Sequence, residues 1–278
     1  MKRIFCLILF ISSLFLRLSG QDFDTRRITS GTGLSNSSVT CILQDSDGQM
    51  WFGTWDGLNM YDGKSITVFK PEPGNKESIS NNIIREMIEQ KPGILWVATD
   101  RGINRLDVKT GKAERFFFGS SGWDIPTEHA FIISKDAQDR IFAFIYGQGA
   151  FVFNANAHVF ERVPIPGTNG AVKAIYGKNN DLYILTQDNL IQRIKLSSND
   201  NDKFFMSEST ELVTDATNMF LDSRDSSIWY SNHNGLISNL ESHATVEVPV
   251  NVGKTGKIFS LCLHKGIWQI GTEHGLFR

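Results

Sequence analysis

Cysteine and proline are both scarce in this sequence. Three cysteines occur in 278 residues, and Cys6 lies in an apolar leader, which leaves Cys41 and Cys262. Two cysteines cannot form the disulfide framework of a small secreted fold, and each lies in an apolar run, so buried free thiols are expected. Only 7 prolines accompany 24 glycines, and aromatic residues reach 11%, a balance that favours short strands joined by tight turns.

Sustained helical periodicity and a large excess of charge are also lacking. No segment repeats apolar residues at about 3.6-residue spacing over several turns. The formal net charge is −2, with 28 basic and 30 acidic residues, and the basic residues form no stripe. Such a chain does not match a phosphate backbone, so nucleic acid is not an expected partner.

One long apolar run is present, and it lies at the N-terminus. "IFCLILFISSLFL" follows Lys2 and Arg3, and small residues follow at Ser19 and Gly20. This pattern predicts a signal peptide over residues 1–20 and export to the periplasm. An uncleaved membrane anchor is the alternative, whereas a lipid anchor is not indicated because no cysteine lies at the expected cleavage site. Cleavage would remove three basic residues and no acidic ones, leaving a more acidic mature chain.

A unit of 40–47 residues recurs along the rest of the chain. Its third strand and the turn before it read "WDGLNMYD" (55–62), "DRGINRLD" (100–107), "GQGAFVFN" (147–154), "QDNLIQRI" (187–194), "HNGLISNL" (233–240) and "EHGLFR" (273–278). A second strand precedes each turn in the same phase: "MWFGT", "LWVAT", "IFAFI", "LYILT", "IWYSN" and "WQIGT". An apolar strand precedes each pair and a fourth strand follows, as in "SITVFK" (65–70). Four short strands per unit are typical of a β-propeller blade, although the Gly-His and Trp-Asp pairs of WD40 blades are absent from their positions.

Two residue types of the unit have structural roles. Second-strand aromatics are expected to fill the wedge between neighbouring blades, because one blade cannot bury its own faces. These aromatics are Trp51, Trp96, Phe142, Tyr183 and Trp229. The Gly of the Gly-apolar dipeptide at the start of the third strand is expected to adopt positive φ in a hairpin turn.

The predicted fold is an all-β, six-bladed propeller of four-stranded blades over residues 21–278. Its blades lie near 34–73, 79–120, 127–164, 170–206, 213–250 and 256–278. The N-terminal segment 23–29 resembles a fourth strand, and pairing with the last unit would close the ring and remove two exposed edges. The alternative is that the six units are part of a larger ring.

The first two units, "GLSNSSVTCILQDSDGQMWFGTWDGLNMYDGKSITVF" and "SISNNIIREMIEQKPGILWVATDRGINRLDVKTGKAERFF", resemble the two-component regulator propeller repeat. The later units match it in spacing and turn residues. The resemblance implies a periplasmic glycan sensor of a Bacteroides-type hybrid two-component system. Such proteins usually carry two seven-bladed propellers, an immunoglobulin-like domain, a membrane helix and a cytoplasmic histidine kinase.

The sequence departs from that pattern in what accompanies the propeller. It has no second propeller, no later hydrophobic span, no phosphoacceptor histidine helix and no ATP-binding glycine motif. We therefore expect either a stand-alone propeller or the first part of a longer sensor. A dimer is expected if it belongs to a sensor kinase.

The turns between second and third strands hold the predicted site. In a propeller these turns converge on one face around the central channel, and here they vary while their flanks stay constant. The predicted ligand-binding residues are Trp55, Asp56, Asp100, Arg101, Tyr146, Gln148, Gln187, Asp188, His233, Asn234, Glu273 and His274. Trp55 and Tyr146 could stack on sugar rings, and Arg101 and Gln148 could bond hydroxyl groups. Ordinary solvated turns are the alternative for any single residue.

Two kinds of chemistry are alternatives to this binding site. The "DSDGQ" of residues 45–49 resembles the start of a calcium loop, but it lacks the Glu and flanking helices of an EF-hand, so a plain hairpin turn is expected. His233, Glu273, His274 and Asp56 would share three consecutive blades of a closed ring, as a metal or acid–base site of a propeller lyase or hydrolase would require. Common hydrolase, phosphate-loop and dinucleotide motifs are absent, so no enzyme activity, catalytic residue, metal or cofactor is expected.

The sequence thus predicts a ligand-sensing propeller in the periplasm that recognises an oligosaccharide or another protein. The first class of function is sensor input for a two-component system, in which ligand binding shifts the populations of two arrangements of the sensor. The second class is a non-catalytic interaction scaffold, and the third is a propeller enzyme.

Overall fold

The structure of the protein is a computed structural model, and it describes residues 28–118, 131–198, 203–222, 224–247, 258–264, 267–272 and 275–277. In these ranges the chain is β-structure apart from three short 3₁₀ turns at Ser30–Thr32, Thr168–Gly170 and Lys178–Asn180. No helix in the described part is long and apolar enough to cross a membrane. The predicted signal peptide, residues 1–20, lies outside the described residues.

Six antiparallel sheets follow one another along the chain, and each is a meander in which successive strands pair. The first sheet contains β1 (Val39–Gln44), β2 (Met50–Thr54), β3 (Gly57–Tyr61) and β4 (Ile66–Phe69). The second contains β5 (Ile84–Lys91), β6 (Ile94–Thr99), β7 (Gly102–Asp107) and β8 (Lys112–Phe116). The third contains β9 (Phe131–Lys135), β10 (Ile141–Ile145), β11 (Gly149–Asn154) and β12 (Val159–Val163).

The remaining three sheets follow the same order. The fourth contains β13 (Ala171–Tyr176), β14 (Leu182–Thr186), β15 (Ile191–Ser198) and β16 (Phe204–Val213). The fifth contains β17 (Ala216–Asp222), β18 (Ser227–Asn232), β19 (Leu236–Asn239) and β20 (Thr245–Glu247). The sixth contains β21 (Ile258–His264), β22 (Ile267–Thr272) and β23 (Gly275–Phe277). The outer strand β16 extends beyond residue 206, the predicted limit of its blade.

The propeller class is confirmed, but the described residues show five four-stranded blades rather than the predicted six. Within the described residues five sheets have four strands and the sixth has three. The segment predicted to complete the sixth blade, residues 23–29, lies outside the described part up to residue 27, and Ile28 and Thr29 are not in a strand. The sequence pattern identifies this segment as a candidate strand. It does not identify the strand edge with which the segment would pair, so it could not place the segment in a blade.

Second-strand aromatics fill the wedges between blades, as predicted. Trp51 and Trp96 are fully buried, and Trp51 packs with Met87 and Val97 of the second blade. Trp96 meets Phe153 of the third blade edge to face, with ring centroids 4.7 Å apart. Burial of 150–250 Å² at roughly 25 cal/mol per Å² makes each such aromatic worth several kcal/mol, about 4–6.

The indole nitrogens of the two buried tryptophans are satisfied by acceptors at the end of the first strand or just after it. Trp51 Nε1 donates to Asp45 Oδ2 at 2.8 Å, and Trp96 Nε1 donates to Gln90 Oε1 at 2.9 Å. The other oxygen of Asp45 accepts the amides of Asp47 and Gln49. Asp45 therefore stabilises a hairpin turn and the Trp51 side chain. A plain hairpin turn, rather than a calcium loop, was the structure expected here.

The glycine at the start of the third strand adopts positive φ, as predicted. Gly57 and Gly102 have φ of 132° and 144°, and a Cβ at Gly102 would lie 2.4 Å from the Phe116 carbonyl oxygen. In the fourth blade the same task falls to Asn189, with φ of 61°. Asparagine tolerates this region better than other non-glycine residues, which explains the degenerate copy.

Inner strands of neighbouring blades belong to separate sheets and are joined by side chains. Thr40 Oγ1 donates to the Ile84 carbonyl at 2.7 Å, and Asn218 Nδ2 donates to the Ile258 carbonyl at 3.0 Å.

Five of the six inner strands carry a register shift around their second residue. A bulge of this kind leaves one residue out of the ladder and redirects its side chain. The residues at this bulge position are Thr40, Arg85, Val172, Thr217 and Phe259.

One inter-blade face is uncovered. Ile42, on the first blade, pairs with the residue after the wedge tryptophan, and its side chain is 60% exposed. The equivalent residues Met87, Ile133 and Met219 are 6%, 1% and 0% exposed. Each inner strand packs against the next from β1 to β21, whereas β21 and β1 share no comparable packing within the described residues. The described ring is therefore open between its last and first blades.

Candidate functional site

A cavity of about 590 Å³ lies at one end of the channel between the inner strands. Every one of the six inner strands contributes to its wall, through residues that include Thr40, Arg85, Ile132, Lys173, Asn218 and Phe259. We call this space the upper cavity. A second cavity of about 600 Å³ lies toward the other end of the channel and shares Glu86, Lys173 and Phe259 with the first. The upper cavity has the size of a small-ligand site.

The turns that the sequence predicted as the binding site lie beside the ends of the inner strands that line the upper cavity, and none of their ten described predicted residues is part of its wall. Thr54 pairs with Val39 at the start of the inner strand β1, and Trp55 donates its amide to the Ser38 carbonyl at 3.3 Å. Each turn between second and third strands therefore lies beside the entry of an inner strand. Ten of the twelve predicted residues are in described turns, and Glu273 and His274 lie outside the described residues.

Trp55, Arg85 and Asp100 form a cluster at the cavity mouth. Asp100 accepts two hydrogen bonds from Arg85, from Nε at 2.5 Å and from Nη2 at 3.1 Å. The guanidinium carbon lies 5.7 Å from the centroid of the Trp55 ring, and Trp55 is 53% exposed. The ion pair holds the guanidinium against the indole, so the tryptophan offers solvent a supported aromatic surface.

The other predicted residues occupy the rim without forming one cluster. Asp56 pairs with Lys70 at 2.7 Å and accepts a hydrogen bond from Asn82 at 3.1 Å, and these bonds hold the pKa of its carboxyl below its usual range. His233 Nε2 lies 3.3 Å from Asn189 Nδ2, which belongs to the neighbouring turn. The rest are turn residues, of which Arg101, Tyr146 and Gln148 are half-buried and Gln187, Asp188 and Asn234 are exposed.

Sequence reasoning missed the charged residues of the cavity wall. Glu86 and Lys173 are half-buried inner-strand residues. Glu86 Oε2 accepts the Ile133 amide at 3.1 Å, and Lys173 Nζ donates to Asn218 Oδ1 at 3.2 Å. The sequence did contain a sign of these residues, because "IIREMIE" (83–89) and "AVKAIYG" (171–177) place charged residues in strands that are otherwise apolar.

Burial perturbs both of these charged groups. It raises the pKa of Glu86, against the opposing effects of the Ile133 amide and the Lys173 charge. It lowers the pKa of Lys173, and the Glu86 charge opposes that shift. Each group thus stabilises the charged form of the other across the channel. The arrangement offers a cation and an anion to a molecule in the cavity.

Of the four residues that would form an enzyme site, only Asp56 and His233 lie in the described part of the chain, and each bonds to other residues. Asp56 bonds to Lys70 and Asn82, and His233 lies beside Asn189. Glu273 and His274 lie outside the described residues. Among the described residues, no group of three His, Cys, Asp or Glu side chains has the arrangement of a metal site. Cys41 is a free thiol in the described structure, whereas the side chain of Cys262 is not described.

Comparison with known proteins supports the predicted resemblance. Residues 33–56 match the family model of the two component regulator propeller. Histidine kinase P4 of Formosa agariphila is 40% identical over 78 residues, which are 28% of this chain and 6% of that protein. The chain therefore spans a small part of the relative that it matches.

Two solved structures from B. thetaiotaomicron have a similar fold. They are extracellular domains assigned to the two component systems BT3049 and BT4673, with TM-scores of 0.67 and 0.66 and identities of 21% and 22%. The matches cover 90% and 89% of this chain but only 34% and 35% of those chains. The chain is therefore a β-propeller in which residues 33–56 match the two component regulator propeller model, and it shares its fold with extracellular domains of two component systems.

Proposed function

We propose that this chain is a periplasmic ligand-sensing propeller that binds an oligosaccharide in the upper cavity. The observation that carries the proposal is the cluster of Trp55, Arg85 and Asp100 at the mouth of a cavity lined by all six blades. An exposed, supported aromatic ring stacks on the C–H face of a sugar. Hydrogen-bonding groups deeper in the cavity meet its hydroxyl groups.

The wall of the cavity supports this choice of ligand. Hydroxyl groups donate and accept hydrogen bonds, and the wall contains donors and acceptors. Lys173 donates, Glu86 and Thr40 present oxygens, and Phe259 adds an apolar surface. A protein partner remains the second candidate, since the same rim could receive a protruding loop.

The sensing role adds a coupling step to binding. In a hybrid two-component system, a ligand that binds one arrangement of the sensor more tightly than another shifts their populations and so the activity of the kinase. The upper cavity is lined by separate blades, so a ligand that bridges them would favour one spacing of the blades. The kinase and membrane segments would belong to a longer polypeptide. A reading frame that continues beyond residue 278 into both would support this role.

Isothermal titration calorimetry of the chain without its predicted signal peptide tests the binding site. A panel of plant and algal oligosaccharides of four to six units is titrated into the protein. We expect the Trp55→Ala variant to bind the best oligosaccharide at least about tenfold more weakly, a loss of about 1.4 kcal/mol.

Phe205→Ala is the matched control. Phe205 is also an exposed aromatic residue, at 43%, but it lies on the outer strand β16. Unchanged affinity in Trp55→Ala would refute the site, and no binding by any oligosaccharide to the folded protein would favour a protein partner instead.

A further inference from the structure

We propose that the upper cavity selects uncharged, hydroxyl-rich ligands over oligosaccharides that carry carboxylate or sulfate groups. This inference rests on the proposed function and narrows its ligand class. It is carried by the balance of charge: the charged residues of the described cavity wall are Arg85, Glu86 and Lys173, and Asp100 is bonded to the first of them. Two positive groups therefore meet two negative groups, and the described part of the wall has no net charge to attract an anion.

The charge of Arg85 is already engaged. Its Nε and Nη2 atoms bond both oxygens of Asp100, and the side chains of Arg85 and Asp100 are only 17% and 10% exposed. An anionic ligand at this end of the cavity would have to compete with a nearly buried carboxylate that also repels it. A hydroxyl group meets no such repulsion and can accept a hydrogen bond from the remaining guanidinium nitrogen.

Lys173 and Glu86 form the second opposed pair. The ammonium group of Lys173 is held by Asn218 Oδ1 and lies 5.2 Å from the centroid of the Phe220 ring. Glu86 uses one carboxyl oxygen on the Ile133 amide, which leaves the other for a ligand. A hydroxyl group can accept from Lys173 and donate to Glu86, whereas a carboxylate or sulfate can only accept. Proton transfer between the two residues leaves the sum of their charges unchanged.

A matched titration tests the selectivity. The chain without its predicted signal peptide is titrated with neutral xylotetraose, cellotetraose and arabinotetraose, and with the acidic tetragalacturonate and a chondroitin sulfate tetrasaccharide. We expect the best neutral probe to bind at least about tenfold more tightly than either acidic probe, because an added charge meets a like charge without a free partner.

Two charge variants make the test specific to this wall. Glu86→Gln gives the cavity a net positive charge, and we expect the affinity for the acidic probes to rise about tenfold relative to the neutral ones. Lys173→Met is expected to shift the ratio in the opposite direction. Glu211→Gln is the control, because Glu211 is exposed on the outer strand β16. The thermal midpoint of every variant is measured to confirm folding.

Each outcome decides between the two proposals. Tighter binding of an acidic probe, or a ratio that Glu86→Gln does not change in a folded protein, would overturn the charge-balance inference while leaving oligosaccharide binding intact. If neither class binds to the folded protein, the proposed function fails and this inference fails with it.

Discussion

Replacement of the same residue type at two equivalent positions measures whether the ring is open. Ile42 pairs with Phe52, and Ile133 pairs with Ala143, so both occupy the same position on the inner strand of their blades. Ile133 is 1% exposed and Ile42 is 60% exposed. Truncation of a buried isoleucine to alanine costs about 2–5 kcal/mol, from lost burial and the cavity left behind. We expect this loss for Ile133→Ala and less than about 1 kcal/mol for Ile42→Ala, since most of that side chain is already in water.

Urea unfolding, followed by tryptophan fluorescence, provides the assay. Trp51 and Trp96 are fully buried, so exposure of their rings reports loss of the packed blades. Equal m-values for the two variants would show that the same surface is exposed on unfolding, which makes their midpoints comparable. A loss at Ile42 as large as that at Ile133 would refute the reasoning, because it would mean that another blade covers the first one.

Two further predictions concern the first blade. Asp45→Ala should lower the unfolding free energy by about 1–3 kcal/mol, because it leaves the Trp51 indole and two turn amides without their acceptor. Urea unfolding measures this loss. Asp47→Ala is the control, because Asp47 is an exposed turn residue and its replacement should change the unfolding free energy little. Burial raises the pKa of the Cys41 thiol to about 12. Between the ordinary pKa of a thiol and this value, the unfolded thiol therefore ionises and the folded thiol does not. The unfolding free energy should therefore fall as the pH rises through this range, and the fall should be smaller in Cys41→Ala; an equal fall in both proteins would contradict the assignment.

The blade architecture could be predicted because its determinants are local and repeated. A wedge aromatic, a turn residue with positive φ and an alternating apolar strand recur at one spacing, so six copies reinforce one interpretation. The copy in the fourth blade illustrates this, because Asn189 replaces glycine and still adopts positive φ. The last blade lacked this redundancy. Its fourth strand depended on pairing between distant ends of the chain, which no local pattern specifies.

The candidate site could be predicted only in part, for a related reason. The turns were found because they vary between constant flanks. Arg85, Glu86 and Lys173 were missed because a strand pattern does not show which residue a bulge redirects, or which strands face each other across a channel. The ion pair of Arg85 with Asp100 spans one blade from its inner strand to its second turn, and it becomes visible only when the register of β5 and β6 is known.

The bulge position explains how one blade design can present different chemistry to a ligand. The shift in register leaves the ladder on either side intact, so the side chain at this position is not needed for strand pairing. Accordingly, the same position holds a hydroxyl group, a guanidinium group and an aromatic ring in Thr40, Arg85 and Phe259. All three line the upper cavity. Wedge residues such as Trp51 are constrained by packing, whereas bulge residues are constrained mainly by what they contact in the channel. Ligand specificity should therefore follow the bulge residues and their partners more closely than it follows the repeat.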